Sequence, residues 1–284
     1  MKKVFNIIGA ICLTIFSFYY TDKMVELSKS KDSIMQDIMS FKENYENESI
    51  DAKIINDYVI PGIKGKKVDI DKSYNKMKEL GYYNENLYIY TSEKPNISID
   101  DFYNKFIIGG NPKKNNVSLV FNLKDNKNLN TILYVLKEQD VVANFFIDGK
   151  YFINDLTSLQ SIADNNHFIG NLGYDGKYLK TTIKNTNALI RKFVTYENDF
   201  CYLDEINYDA LDICSNLKMY TVKGTTISNT TPYLDIKEKL ISGGIYKLDT
   251  NNYTVEELGI IIKYIKQKGY NIVSLEELIS EENN

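Results

Sequence analysis

The second half of the chain predicts an α/β domain in which parallel strands alternate with outer helices, as in a β/α barrel. Two features lead to this prediction. From residue 117 onward, short apolar runs alternate with amphipathic segments, and each strand–helix unit takes about 25 residues, as in such barrels. Strands joined through a helix run parallel, with the helices covering the sheet. The first 45 residues differ from this pattern and predict a membrane anchor and a helical stalk before the domain.

The composition excludes one class of function. A chain of 284 residues can hold one full-sized core with accessory segments, and 43% hydrophobic and 25% charged residues are typical of a globular protein. The net charge is −4 and the isoelectric point is near 5.3. Proteins that bind nucleic acid usually concentrate basic residues on one face, so no nucleic-acid partner is predicted.

The N-terminus predicts a membrane anchor. After a tip at residues 1–3, residues 4–21 carry no charge and are largely apolar, which is the lower limit for crossing a hydrocarbon core of ~30 Å. The run ends in bulky aromatic residues where a signal peptidase prefers small ones, so an uncleaved signal anchor is favoured over a cleaved peptide. The two lysines of the tip would stay in the cytoplasm. The prediction is a single-pass protein of the cell membrane with an extracellular C-terminal domain.

A helical stalk and a lead-in segment are predicted next. Residues 24–45 carry apolar side chains at three- and four-residue steps, which is typical of an amphipathic helix. Lys31 interrupts the apolar stripe, which favours a short stalk over a stable coiled coil. Residues 46–116 contain a Pro-Gly turn and a short helix at 73–80 closed by Gly81, but few periodic apolar positions. We therefore expect this lead-in to pack on the domain at residues 117–281.

The predicted domain contains seven strands and five helices. Its strands are rich in β-branched and aromatic residues, whereas its helices repeat apolar residues every three to four positions. The strands fall at 117–121, 142–147, 167–170, 200–203, 219–222, 244–248 and 271–275. The helices fall at 129–138, 155–164, 181–194, 208–217 and 255–268.

The three cysteines do not form a metal-binding spacing. Cys12 lies inside the apolar N-terminal run, which leaves Cys201 and Cys214 as the one possible internal pair. Because free cysteines are often buried, the sequence favours two buried thiols and leaves a disulfide open.

Three segments together resemble a known family. Residues 143–149 (ANFFIDG) resemble the ATFF segment of NodB-type polysaccharide deacetylases, residues 166–171 (NHFIGN) resemble their GHEIGN, and residues 269–278 (GYNIVSLEEL) resemble their closing strand and helix. The resemblance covers residues 117 to 280 in the right order. It implies a distorted β/α barrel and the metal-assisted removal of acetyl groups from chitin-like or peptidoglycan sugars.

The residues that this chemistry needs are missing at the matching positions. The resemblance implies a metal held by one Asp and two His, with a second Asp as base and another His as acid. The matching positions hold Asn122 (base), Leu123, Leu172 and Gly176 (metal), Cys201 (arginine) and Leu248 (acid). The chain has a single histidine, His167, so the site cannot be restored by another alignment. We predict no metal, no cofactor and a packing role for His167.

Polar residues remain at the expected mouth of the barrel and are candidates for binding a ligand. They are Asn122, Lys124, Asp125, Asn171, Tyr174, Asp175, Tyr202 and Asp249. The two tyrosines could stack on a sugar ring, although packing is the commoner role. The three aspartates could form a carboxylate site, although separate solvated loop positions are favoured because no spacing motif supports a cluster.

Three functions follow as hypotheses. The favoured one is a non-catalytic deacetylase-like protein that binds cell-wall glycan or an envelope protein. The alternative is an active polysaccharide deacetylase or hydrolase with a rearranged carboxylate site. The third is a structural role in which side chains fill the mouth of the barrel.

Overall fold

The chain divides into two compact units. The computed structural model describes residues 2–283, and the side chains of residue 9 and of residues 11–283, so the predicted tip at residues 1–3 begins outside the described part. The first unit combines the N-terminal residues up to Ser49 with Lys64–Lys94. The second combines Ile50–Ile63 with the chain from Pro95 onward. The segment predicted as a lead-in, residues 46–116, is thus divided between the units. Residues 46–49 and 64–94 belong to the first unit, whereas residues 50–63 and 95–116 belong to the second.

The helices and strands of the described residues are numbered in chain order. The helices are α1 (Lys2–Ser30), α2 (Ser33–Phe41), α3 (Ile70–Leu80), α4 (Leu129–Glu138), α5 (Gly149–Phe152), α6 (Leu156–Asp164), α7 (Lys180–Ile190), α8 (Tyr208–Asn216), α9 (Pro232–Lys239), α10 (Asn252–Gln267) and α11 (Leu275–Ile279). The strands are β1 (Lys53–Ile55), β2 (Tyr58–Ile60), β3 (Gly65–Val68), β4 (Tyr90–Glu93), β5 (Phe106–Ile107), β6 (Asn116–Leu123), β7 (Asn144–Ile147), β8 (Phe168–Asn171), β9 (Phe200–Tyr202), β10 (Tyr220–Val222), β11 (Thr225–Thr226), β12 (Ile245–Leu248) and β13 (Asn271–Ile272).

The first unit has a small core of its own. Strands β3 and β4 pair antiparallel, and the apolar faces of α2 and α3 bury Ile34, Ile38 and Met77. The apolar residues at 24–45, predicted to form one stalk helix, lie in two different environments. Those of α2 are buried in this core, whereas Met24 and Leu27 of α1 are exposed.

The predicted membrane anchor at residues 4–21 is contradicted. These residues lie within α1, but in the part of the chain that the structure describes no helix has the length and apolar character needed to cross a membrane. The apolar run only reaches the minimum length, and it is diluted by Asn6, Thr14 and Ser17 before charges resume at Asp22. The predictions of a signal anchor and of a single-pass membrane protein are therefore wrong.

The second unit is a curled, mainly parallel sheet with helices on its outer side. Strands β1 and β2 form an antiparallel hairpin, and from β2 onward the neighbours pair parallel in the order β2-β5-β10-β9-β8-β7-β6-β12-β11. Strand β13 pairs with the start of β6. A bridge from Gly109 to Gly244 joins the segment after β5 to the residue before β12, so the sheet curls toward closure. The predicted α/β class with parallel strands and outer helices is confirmed.

Alternation along the strands divides the core into two layers. Along β6, Leu119, Phe121 and Leu123 face outward and pack with the apolar stripes of α4 and α10. Val120 faces the interior, where it packs with Phe146 and with residues of α11. Because the strands are parallel, the C-terminal ends of β6, β7, β8, β9 and β12 meet at one side of the sheet, called the carboxyl edge below.

Cys201 and Cys214 form a disulfide, whereas the sequence favoured two free thiols. Cys201 of β9 and Cys214 of α8 are bonded, with their Cα atoms 6.5 Å apart and both side chains fully buried. The expectation of two free thiols is wrong because α8 folds back onto β9, a tertiary contact that the spacing of 13 residues does not reveal.

Candidate functional site

Four polar side chains converge at the carboxyl edge. Asn122 comes from β6 and Lys247 from β12, while Asp204 and Asp249 follow the ends of β9 and β12. The amide Nδ2 of Asn122 donates to Oδ1 of Asp204 at 2.8 Å, and Nζ of Lys247 donates to Oδ1 of Asp249 at 2.6 Å. The same Nζ lies 3.9 Å from Oδ1 of Asp204. We call these four residues the Lys247 cluster.

Burial differs within the Lys247 cluster. The Lys247 side chain is 12% exposed, whereas those of Asp204 and Asp249 are 41% and 39% exposed. The ammonium group is thus largely withdrawn from solvent and the carboxylates face outward. The Oδ1 atom of Asn122 is buried and has no hydrogen-bond partner among the described residues. The cluster therefore combines a fixed cation with two exposed carboxylates that a ligand can reach.

The positions that would hold the metal of a deacetylase do not fit a metal. Leu123 faces the outer helices in the core, and Leu172 packs in the interior. Gly176 lies in an exposed turn with a φ of +67°. None of these three positions offers a side-chain donor atom, and across the described residues no group of three His, Cys, Asp or Glu side chains could hold a metal ion. Leu248, at the position of the acid, also faces the outer helices. The ammonium of Lys247 lies between the carboxylates of Asp249 and Asp204 at this edge.

Two of the predicted ligand-binding residues are buried. Asn171 donates from Nδ2 to the carbonyl of Ile183 at 2.9 Å, and its Oδ1 accepts from the N–H of Gly173 at 2.7 Å. Tyr202 is 1% exposed, and its ring centroid lies 5.1 Å from that of Phe146. These side chains organise the edge from beneath and leave no free face for a sugar ring.

The predicted aspartates have separate partners. Asp125 is exposed and accepts from the N–H of Lys127 at 2.9 Å. Asp175 is exposed and pairs with Lys150 at 2.7 Å, and this hydrogen bond holds the pKa of Asp175 below its usual range. Asp249 instead joins the Lys247 cluster. No direct contact between the three carboxylates is found in the described part of the chain.

Lys124 and Tyr174 lie in the loops around the edge. The side chain of Lys124 is exposed directly after β6. Tyr174 is half-buried, and its backbone pairs with that of Lys177 in the loop after β8. These two side chains remain candidates for contact with a ligand.

Sequence analysis missed three residues of the edge. Asp204 and Lys247 complete the Lys247 cluster, and Asp148 is buried at the end of β7. The carboxylate of Asp148 accepts from the N–H groups of Asp175 at 2.8 Å and Gly176 at 2.9 Å, which fixes the loop after β8. Their positions in the sequence could have indicated them. Asp148 and Asp204 each follow an apolar strand, and Lys247 lies two residues before Asp249, so that both side chains face the same side of the sheet.

The middle of the chain matches a known protein family. Residues 109–240 match the model of the polysaccharide deacetylase family. With the curled sheet and the three segments in register, this match supports a NodB-like, degenerate polysaccharide deacetylase domain, in which the positions of the metal ligands hold Leu123, Leu172 and Gly176.

Three individual proteins are similar to this chain in structure or in sequence. The chain is similar to a crystal structure of BA3943, described as a CE4 family pseudoenzyme from Bacillus anthracis, with a TM-score of 0.70, 24% identity and coverage of 89% of this chain and 97% of that one. The peptidoglycan N-acetylglucosamine deacetylase Bc1960 gives a TM-score of 0.56 at 22% identity, covering 62% of this chain and 94% of that one. The uncharacterized protein YlxY of Bacillus subtilis (strain 168) is 28% identical over an alignment of 276 residues that covers 90% of this chain and 86% of that protein.

Proposed function

We propose that this protein is a non-catalytic member of the polysaccharide deacetylase family that acts in the cell envelope by binding glycan at the carboxyl edge, or by binding a protein partner there. One observation carries the proposal. The ammonium of Lys247, bonded to Asp249 and close to Asp204, lies at the edge where the family would hold a divalent ion.

The chemistry of the cluster argues against hydrolysis. Removal of an acetyl group requires a Lewis acid that polarises the carbonyl and a base that activates water. An ammonium ion has no open coordination position and cannot bind water as a metal does. Asn122 stands at the position of the base, but an amide does not accept a proton near neutral pH. The similarity to BA3943, which is described as a pseudoenzyme, supports the same conclusion.

The same residues are suited to binding a glycan. The carboxylate oxygens of Asp204 and Asp249, whose side chains are 41% and 39% exposed, can accept hydrogen bonds from hydroxyl and amide groups. The exposed ammonium of Lys124 adds donors beside them. Cell-wall glycan is the favoured ligand because Bc1960, which has the same fold, is described as a peptidoglycan N-acetylglucosamine deacetylase.

The test combines binding and activity on one sample. The chain is titrated calorimetrically with zinc and then with peptidoglycan oligosaccharides, and acetate release is measured afterwards. We expect oligosaccharide binding that Asp249→Ala weakens and that Glu238→Ala, a change at an exposed position on α9, leaves unaltered. No acetate release is expected with or without zinc.

Two other outcomes point elsewhere. Zinc-dependent acetate release that is lost in Asp249→Ala would establish the alternative, an active deacetylase with a rearranged carboxylate site. If neither oligosaccharide nor zinc binds, glycan binding at the carboxyl edge is refuted.

A further inference from the structure

The disulfide between Cys201 and Cys214 closes the segment of chain that brings Asp204 to the Lys247 cluster. Cys201 lies in β9 and Cys214 in the second half of α8. Residues 203–207 connect the end of β9 to the start of α8, and Asp204 is the second of them. The bond therefore joins the two elements on either side of the residue whose carboxylate accepts from Asn122 at 2.8 Å.

Helix α8 is held to the sheet by a small buried face together with the disulfide. Strand β9 is fixed by parallel pairing with β10 at three positions. Helix α8 buries three of its nine side chains, and these are Ala210, Leu211 and Cys214. At the start of the helix, the exposed Tyr208 adds a hydrogen bond of 2.9 Å from its hydroxyl to Asp57. The covalent bond is thus what ties this lightly packed helix to the fixed strand.

Helix α8 in turn covers the residue before Asp204. Leu203 is 2% exposed and packs with the buried apolar side chains of α8. Asp204 itself is 41% exposed; its Oδ1 accepts from Asn122, and its backbone carbonyl accepts from Nζ of Lys223 at 2.9 Å. Exposed polar contacts contribute little energy in water. The place of the Asp204 carboxylate therefore depends on α8 staying over Leu203.

We propose that the disulfide between Cys201 and Cys214 positions Asp204, so that the Lys247 cluster is complete in the oxidised chain and opens when the bond is reduced. In the reduction, a dithiol transfers two electrons and two protons; the S–S bond breaks, two cysteine thiols form and the dithiol closes to its own disulfide. Helix α8 then keeps only its small apolar face, and Asp204 leaves Asn122. The effect on ligand binding rests on the function proposed above, whereas the assembly of the cluster does not.

Side-chain amide signals of the full chain test the proposal without a ligand. In the ¹⁵N-labelled protein, the Nδ2 signals of Asn122 report its hydrogen bond to Asp204. Those of the buried Asn144, which donates to the carbonyl of Leu119 at 2.9 Å, report whether β6 and β7 stay intact. Opening the disulfide with dithiothreitol should shift the Asn122 signals and leave those of Asn144 in place. Unmoved Asn122 signals in the reduced chain, or loss of both sets of signals together, overturn the proposal.

A variant opens the bond without a reductant, which matters because both cysteine side chains are fully buried. Cys214→Ala should shift the Asn122 signals as reduction does, whereas Cys12→Ser, at an exposed free thiol, should leave them unchanged. A bond that stabilises α8 without positioning Asp204 would leave the Asn122 signals of Cys214→Ala at their native positions, and this result also overturns the proposal.

Binding measurements separate this proposal from the function of the carboxyl edge. In a calorimetric titration with peptidoglycan oligosaccharides, Cys214→Ala should weaken binding by at least about tenfold. It should cause no further loss in a chain that already carries Asp204→Ala, because both changes act through the same carboxylate. Additive losses overturn the proposal. If the native oxidised chain binds no oligosaccharide, the glycan function fails, and the amide signals of Asn122 still decide whether the disulfide positions Asp204.

Discussion

Replacing Lys247 by alanine tests whether its ammonium has taken the place of a metal ion. The variant leaves Asp204 and Asp249 without the cation that lies 3.9 Å and 2.6 Å from their Oδ1 atoms. Removing one partner of a buried pair costs about 3–5 kcal/mol, whereas exposed pairs contribute about 0–1 kcal/mol. Since the lysine is 12% exposed but both carboxylates are near 40%, we expect a loss of about 1–2 kcal/mol in the free energy of unfolding.

The variant should also gain a property that the native chain lacks. Without the ammonium, the carboxylates of Asp204 and Asp249, which both approach its Nζ, leave two oxygen ligands beside the space that it occupied. A divalent ion at a hundred times its dissociation constant would return about 2.7 kcal/mol. We therefore expect Mn²⁺ or Zn²⁺ to raise the melting temperature of Lys247→Ala and not that of the native chain.

Scanning calorimetry with and without the metal is the appropriate assay, because a chain with two units need not melt in one step. Lys237→Ala, at an exposed position of α9, serves as the control. The reasoning fails if Lys247→Ala melts at the native temperature, or if the metal stabilises the native chain as much as the variant.

Three further predictions concern stability. Burial lowers the pKa of His167 from 6.5 to about 4, so the unfolded chain takes up a proton before the folded chain does as the pH falls. The free energy of unfolding should therefore drop by about 2 kcal/mol between pH 7 and pH 5. In urea unfolding curves measured over this pH range, His167→Gln should reduce the drop. Cys214→Ser removes a disulfide that closes a loop of 13 residues and should lower the free energy of unfolding in urea by about 3 kcal/mol. Cys12→Ser, at an exposed thiol, should leave that free energy unchanged, and equal losses in the two variants would contradict the disulfide. Glu281→Ala removes a buried carboxylate that accepts from two backbone N–H groups at 2.9 Å, and the free energy of unfolding should fall by about 2–3 kcal/mol; a loss no greater than that of Glu238→Ala would refute this role.

Sequence periodicity determined the α/β class and most of its elements. The helix predicted at 129–138 coincides with α4, and the strand predicted at 117–121 lies within β6. These elements follow from apolar patterns within a few turns of the chain, which depend on local sequence alone. The single histidine of the sequence likewise predicts that a site requiring three histidines cannot form.

Tertiary structure alone decided which side chains form the Lys247 cluster. Asn122 and Asp204 are 82 residues apart and meet because the sheet order places β9 and β12 on the same curled surface as β6. The disulfide depends on how α8 folds back onto β9. Side-chain partners across a sheet are set by strand order and curvature, which local periodicity does not encode.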